Sequence, residues 1–240
     1  MRILAVDTSS HACSVALAED GFLKYEYTAD HGKTHAVRLS GMIDAVFADT
    51  GIKAVDIDAF AVTAGPGSFT GLRIGISTVK GLAFAAERPV VSVSTLDVLA
   101  NQSSGVDIPI CPFIDARKKE IYTALYRQRR DGHFETLVPP AAARPADFLA
   151  EIGQSGFGAE AGIYFLGSGT ALYADLIVGQ FGDNAVLAPR EYNLIRASTL
   201  ARLAFDRYQE SGGITPHELV PYYIRRSDAQ KTGSTAAGLR

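Results

Sequence analysis

The sequence predicts an α/β protein of two similar lobes that face each other across a cleft. Three observations carry this. ILAVDTSSHACSVALAEDGFLKYEY, from residue 3, and ICPFIDARKKEIYTALYRQRRDGHF, from residue 110, share one pattern. Each is an apolar strand ending in Asp, then a polar turn, a second strand, a charged glycine turn and a third strand, which reads as an internal repeat. Residues 56–86 read as a buried strand, a glycine-rich turn and a helix, and helical patterns follow both meanders.

In order, residues 3–6, 13–18 and 22–28 are the first meander. The expected helix over 35–50 carries Leu39, Met42, Ile43, Val46 and Phe47 as one i, i+3, i+4, i+7, i+8 stripe and stops at Gly51. Residues 56–63 form the next strand, broken by Gly65, Pro66 and Gly67. Ser68 stands where an N-cap belongs, and a helix follows with Leu72, Ile76, Val79 and Ala83 on one side. Gly71, Gly75 and Gly81 lie inside it, each costing about 1 kcal/mol against alanine. Gly71 and Gly75 share a face, so another backbone can approach closely there: the helix's own sheet on one side, a second helix of this chain or a partner on the other. A strand at 89–93 and a short helix to about 102 close the first half at Ser103-Ser104-Gly105.

The second meander spans 108–114, 120–126 and 133–138. Residues 139–145 read as loop, 146–152 as a short helix, 163–166 as a strand, 170–180 as a helix and 194–210 as a longer one. The expected division is 1–103 for the first lobe, with the helix at about 195–211 packing back on it, 104–194 for a smaller second lobe, and 227–240 as a disordered tail.

At 240 residues, net charge −3 and 47% hydrophobic content, a soluble globular protein without a global basic field is expected. The amino-terminal apolar run is too short for a signal peptide, and no run reaches membrane-spanning length, so a cytoplasmic protein with no membrane partner is expected. Cys13 and Cys111 sit in strand-like apolar runs and read as buried reduced thiols.

Several patterns bear on chemistry. Asp7-Thr8-Ser9-Ser10 is either an ordinary turn stabilised by side-chain to backbone bonds or a phosphate or Mg²⁺ loop with Asp7 at the strand end. Asp115 is its counterpart in the second half, and Gly167-Ser168-Gly169 is a turn that could sit under an adenine. The turn at Gly65–Gly71 fails the P-loop pattern, since Gly71-Leu72-Arg73 replaces Gly-Lys-Ser/Thr, and it misses G-x-G-x-x-G by one position. His31 and His35 are four apart, yet Gly32 and Lys33 follow His31 where H-E-x-x-H needs its glutamate. A metalloprotease reading is therefore weak, and a solvent-facing helix start is better.

DTSSHACSVAL, AGPGSFTGLRIGIS, IDARKKEIY, the GSG turn and PYYIR together resemble the TsaB (YeaZ) family, over nearly the whole chain. The most specific of these is GPGSFTGLRIG. The resemblance implies the ASKHA superfamily of actin-like, Hsp70-like and sugar-kinase-like folds: two lobes, each a mixed sheet flanked by helices. It implies a non-catalytic role in making threonylcarbamoyladenosine in tRNA, beside the anticodon. The implied partners are the catalytic paralogue TsaD, which carries the metal, and the small ATPase TsaE. It also implies a homodimer when the partner is absent, tRNA contact only through the complex, and no cofactor, with weak nucleotide binding left open. The paralogue's metal site uses a histidine pair downstream of its glycine turn, and this chain has no histidine between His35 and His133. First-lobe helices mediate both associations in the family. The residues expected there are His35, Leu39, Met42, Ile43, Val46, Phe47, Gly71, Ile74, Gly75, Thr78 and Leu82. Asp7, Thr8, Ser9, Asp115, Gly167, Ser168 and Gly169 are candidates for a vestigial nucleotide cleft. The alternative function is a degenerate ASKHA ATPase or kinase with a nucleotide between its lobes.

Overall fold

A computed structural model of the chain describes residues 1–30, 35–158 and 162–224, with the side chains of His35 and Ala36 outside that description. His31 and the tail at 227–240 also lie outside it.

Two five-stranded sheets form. In the first, β1 (Arg2–Asp7), β2 (Cys13–Glu19), β3 (Phe22–Ala29), β4 (Ala59–Gly65) and β5 (Val90–Ser94) run in the order β3-β2-β1-β4-β5. In the second, β6 (Ile110–Asp115), β7 (Ile121–Gln128), β8 (Phe134–Ala143), β9 (Ile163–Leu166) and β10 (Ala185–Leu187) run in the order β10-β9-β6-β7-β8. Read from the meander outward, the two orders are the same. In each sheet the three meander strands are antiparallel and the last two join in parallel. β1 and β6, each ending in Asp, are the equivalent central strands. The duplication legible in the sequence is thus the duplication in the fold, the two-lobed ASKHA arrangement.

Parallel pairs need crossovers. Helices α1 (His35–Thr50) and α2 (Phe69–Ala86) serve the first sheet, and α4 (Pro145–Gln154) and α5 (Ala174–Phe181) the second. The stripe of Leu39, Met42, Ile43 and Val46 meets Leu72, Ile76 and Val79 over the outer face of the first sheet. Phe148, Leu149, Ile152 and Ile177 do the same for the second sheet.

The remaining helices, α3 (Thr95–Gln102) and α6 (Ala197–Ser211), fill the space between the sheets. Leu96 and Leu99 of α3 and Leu200, Ala201 and Ala204 of α6 join Ile3, Ala5, Val91, Ile110, Ile114 and Tyr122 in one core shared by both lobes. α3 follows the first sheet but reaches β6 and β7, while α6 follows the second sheet and lies on β1 and β2. The first sheet is therefore closed by the helix that follows the second, while α3 lies on β4 and β5 as well as on β6 and β7. The amino end of α6 has no cap from its own sequence. Instead the Ser14 hydroxyl accepts from Ala197 N at 3.0 Å, and Glu26 accepts from Ser198 N at 3.0 Å and Ser198 Oγ at 2.9 Å. Arg196 pairs with the same carboxylate. Burial pushes the Glu26 pKa up, but these hydrogen bonds outweigh it and hold the carboxyl below its usual range.

Three expectations need correction. Residues 139–143 are not loop but the end of β8, and the strand holds Pro139 and Pro140 because it is an edge strand with no ladder to donate to on its outer side. The helix expected from 170 begins only at Ala174, because a turn comes first, in which Gly169 N donates to the Phe113 carbonyl, Thr170 N to that of Gly167 and Tyr173 N to that of Gly169. β10, three residues long, gives no periodic signal and goes unread in the sequence.

Candidate functional site

The site is built where the two central strands end. Asp7 closes β1 and is 0% exposed. Its Oδ1 accepts three bonds: from Ser9 N at 3.2 Å, Ser9 Oγ at 2.6 Å and Thr63 Oγ1 of β4 at 2.6 Å. Oδ2 is buried without a hydrogen-bond partner among the described residues. Burial raises the pKa to about 6, against the lowering effect of the Ser9 and Thr63 bonds. The glycine-rich turn lies on top. Ser68 N donates to the Ser9 carbonyl at 2.7 Å, and a Cβ on Gly67 would collide with that same carbonyl. Glycine is required at 67 for this close approach.

Ser68 caps α2, accepting from Gly71 N at 3.2 Å, as its position predicts. Thr8 Oγ1 donates to the Gly71 carbonyl at 2.7 Å. A Cβ on Gly75 would meet Thr8 Oγ1. The flat face of α2 is therefore seated on the end of β1, inside the lobe, and is not presented to a partner. Leu39, Met42, Ile43 and Val46 are likewise buried in the lobe's own core. Of the expected interface residues, Phe47, Ile74, Thr78 and Leu82 remain partly exposed, and the side chain of His35 lies outside the described residues.

On the second lobe, Asp115 closes β6 and is partly exposed. Its Oδ1 accepts from Arg117 N at 2.9 Å, Arg117 lies 3.5 Å from its other oxygen, and Asp115 N donates to Ser168 Oγ at 3.2 Å. Gly167 and Gly169 press on the Phe113 carbonyl, where a Cβ at either position would come within 2.8 Å. The turn from β6 to β7 is unusual: Arg117, Lys118 and Lys119 have φ of 63°, 54° and 62°. For residues with a Cβ that conformation costs about 1–2 kcal/mol each.

Between the lobes lies a cleft of about 570 Å³, lined by Ser9, Ser10, His11, the first residues of α2, Asp115, Arg117, Tyr122 and Ser168. The structure thus brings Ser9, Asp115 and Ser168 to one cleft and leaves Asp7 and Thr8 beneath its floor. In the sequence Gly67 is legible only as a turn breaker, Arg117 and Tyr122 only as part of IDARKKEIY, and Thr63 only as a strand residue, with nothing that ties any of them to the cleft or to Asp7. His11 pairs with Asp30 at 3.0 Å. Among the described residues no group of three or more His, Cys, Asp or Glu is placed to hold a metal. Cys13 and Cys111 are free and buried, and burial pushes both thiols up to about 12.

The family model described as TsaD, tRNA N6-adenosine threonylcarbamoyltransferase, matches residues 28–232. The protein named tRNA threonylcarbamoyladenosine biosynthesis protein TsaB in Bacillus subtilis is 32% identical over 96% of this chain and 96% of its own length. Its namesake in Escherichia coli is 33% identical, covering 96% and 97%. This chain belongs to the TsaB (YeaZ) family. The solved structure of YeaZ from Pseudomonas aeruginosa superposes with a TM-score of 0.77 at 32% identity, over 92% of this chain and 99% of that one. A second Pseudomonas aeruginosa structure, described as an uncharacterized protein with similarity to peptidase YEAZ, gives 0.79 at 31% identity, over 93% and 99%. TsaB membership assigns the chain to tRNA threonylcarbamoyladenosine biosynthesis. It also makes the closed floor over Asp7 the feature to explain.

Proposed function

We propose that this chain is a non-catalytic subunit of the cytoplasmic threonylcarbamoyl transfer machinery. It binds the TsaD-like catalytic subunit and, with it, the TsaE-like ATPase, and it pairs with itself when that partner is absent. The observation that carries this reading is Asp7. A carboxylate that positions Mg²⁺ or phosphate needs an oxygen open to the ligand. Here one oxygen is saturated by Ser9 and Thr63, the other is enclosed, and Ser68 is bonded to Ser9 above them. The loop that a phosphoryl-transfer site would use instead locks the glycine turn to the sheet. The surface left for partners on the first lobe is the outer side of α1 and α2, with Phe47, Ile74, Thr78 and Leu82 beside exposed Val37, Gly41 and Gly81. Small and apolar residues on two neighbouring helices suit a helix-on-helix association.

The test is co-purification with the TsaD-like subunit of the same organism and threonylcarbamoyl transfer to tRNA with and without this chain. The expected result is a stable complex, and transfer that falls sharply when the chain is left out. Magnesium-dependent turnover of ATP by the chain alone would overturn the non-catalytic reading. A nucleotide held between the lobes is the second reading, favoured by the cleft of about 570 Å³ with Ser9, Asp115 and Ser168 on its walls. Calorimetric titration of ATP with Mg²⁺ separates the two.

A further inference from the structure

The turn Arg117-Lys118-Lys119 has no part in the proposal above. All three side chains are exposed, and the Arg117 side chain is 85% exposed beside Asp115. Three successive positions in the left-handed region ordinarily take Gly or Asn. This turn instead carries three cations, although the chain as a whole has a net charge of −3. More positive charge converges on the same end of the second sheet. The register Ile121↔Ala143 places exposed Arg144 at the strand end beside the turn. Across the cleft that Arg117 lines, α2 begins at Ser68–Thr70, an 18-residue helix with no acid in its first turn, so its positive dipole end faces the same space. The nearby acids are Asp115, which pairs with Arg117, together with Glu120 and Asp147 at the root of the neighbouring elements.

We propose that the Arg117–Lys119 turn, with Arg144 beside it, is a contact between this chain and the sugar–phosphate backbone of the tRNA being modified. The inference rests on the chain's role in the tRNA-modifying assembly, and it adds a surface of this subunit to that role. Long cations on a tight, fixed turn at a cleft rim can reach successive phosphates. They carry no base-edge information, so the contact positions the RNA without reading its sequence.

The experiment is fluorescence anisotropy of labelled, unmodified tRNA with the full chain, alone and assembled with its TsaD-like partner, from 50 to 300 mM KCl. The variant is Arg117→Asn/Lys118→Asn/Lys119→Asn, because asparagine tolerates the left-handed backbone while removing the charge. The expected result is a loss of affinity of about tenfold or more at 100 mM salt. The slope of log K against log salt should fall by about 2 to 3, since each phosphate contact contributes roughly 0.7–0.9. Arg144→Gln, outside the turn, should lower the slope by about 1 and serves if the triple variant melts early by circular dichroism. Unchanged affinity and slope in both variants would overturn the proposal, as would the absence of tRNA binding by the wild-type chain in either form. Sedimentation separates this from the assembly reading. If the wild type fails to assemble, that reading falls, and the chain-alone titration decides this one. If the triple variant loses the protein partner and keeps its tRNA affinity, the turn is a protein contact and the proposal is wrong.

Discussion

Replacing Asp7 by asparagine should flatten the pH dependence of stability. In the folded chain the Asp7 carboxyl has a pKa near 6, raised from 3.8 by burial. The folded state therefore holds this proton more tightly than the unfolded chain does. Its contribution is fully present below about pH 4 and is lost as pH rises through 6. A difference of about two pKa units corresponds to about 3 kcal/mol, the cost of keeping an ionised carboxylate in this enclosure. Asparagine offers the same acceptor to Ser9 N, Ser9 Oγ and Thr63 Oγ1, and it carries no charge. Its amide nitrogen replaces Oδ2, which has no partner among the described residues, so an unmet donor takes back about 1–3 kcal/mol. At pH 7.5 the variant should be more stable than wild type by roughly 1 kcal/mol, and near pH 4.5 less stable, so the two curves cross. The assay is urea unfolding followed by circular dichroism at half-unit steps from pH 4.5 to 8. Glu26 and other carboxylates change stability in both proteins alike, so the difference curve isolates Asp7. A difference curve that does not vary with pH would refute the assignment of the titrating group.

Three further outcomes are expected. Gly75→Ala should destabilise the lobe by about 1–3 kcal/mol through its collision with Thr8, and adding Thr8→Ala should recover part of that, giving non-additive melting shifts in a double-mutant cycle. Glu26→Ala should cost about 1–2 kcal/mol by uncapping α6, read as a lower urea midpoint at unchanged m-value. Leu82→Arg, on a partly exposed position of α2, should fold with near wild-type stability yet abolish self-association in sedimentation, and a dimer that persists would move the interface elsewhere.

Much of the fold is legible because it rests on local pattern. The two Asp-terminated strands, the α1 stripe and the Ser68 cap are each specified within a few residues, and each lies where the pattern puts it. What is hidden depends on partners distant in sequence. Thr63 lies 56 positions from Asp7, and nothing in either segment announces the bond. The spacing of Gly71 and Gly75 says that they share a face but not what lies against it. The end of β1 takes that place, which is the own-sheet side of the two that the spacing leaves open. Pro139 and Pro140 signal a break where the chain in fact continues as an edge strand. The left-handed turn at Arg117–Lys119 has no compositional trace, because the residues that normally mark it are absent.

The closing of the first sheet by a helix made after the second has a consequence for synthesis. The inner face of the first sheet, with Ile3, Ala5, Ala16 and Ala61, is covered largely by Leu200, Ala201 and Ala204 of α6. During translation residues 1–103 emerge as five strands with α1 and α2 on their outer side and, on the inner side, α3 alone, over β4 and β5. They then wait, with β1 to β3 uncovered on that face, through more than 90 further residues until α6 has been made. At about 5–20 residues per second, that interval lasts on the order of 5–20 seconds. The second sheet has no such wait, since α3 precedes it. A ribosome-bound chain halted near residue 190 should therefore be the form most readily recognised by chaperones. Neither half, cut at the boundary between the lobes, carries both layers of its own core.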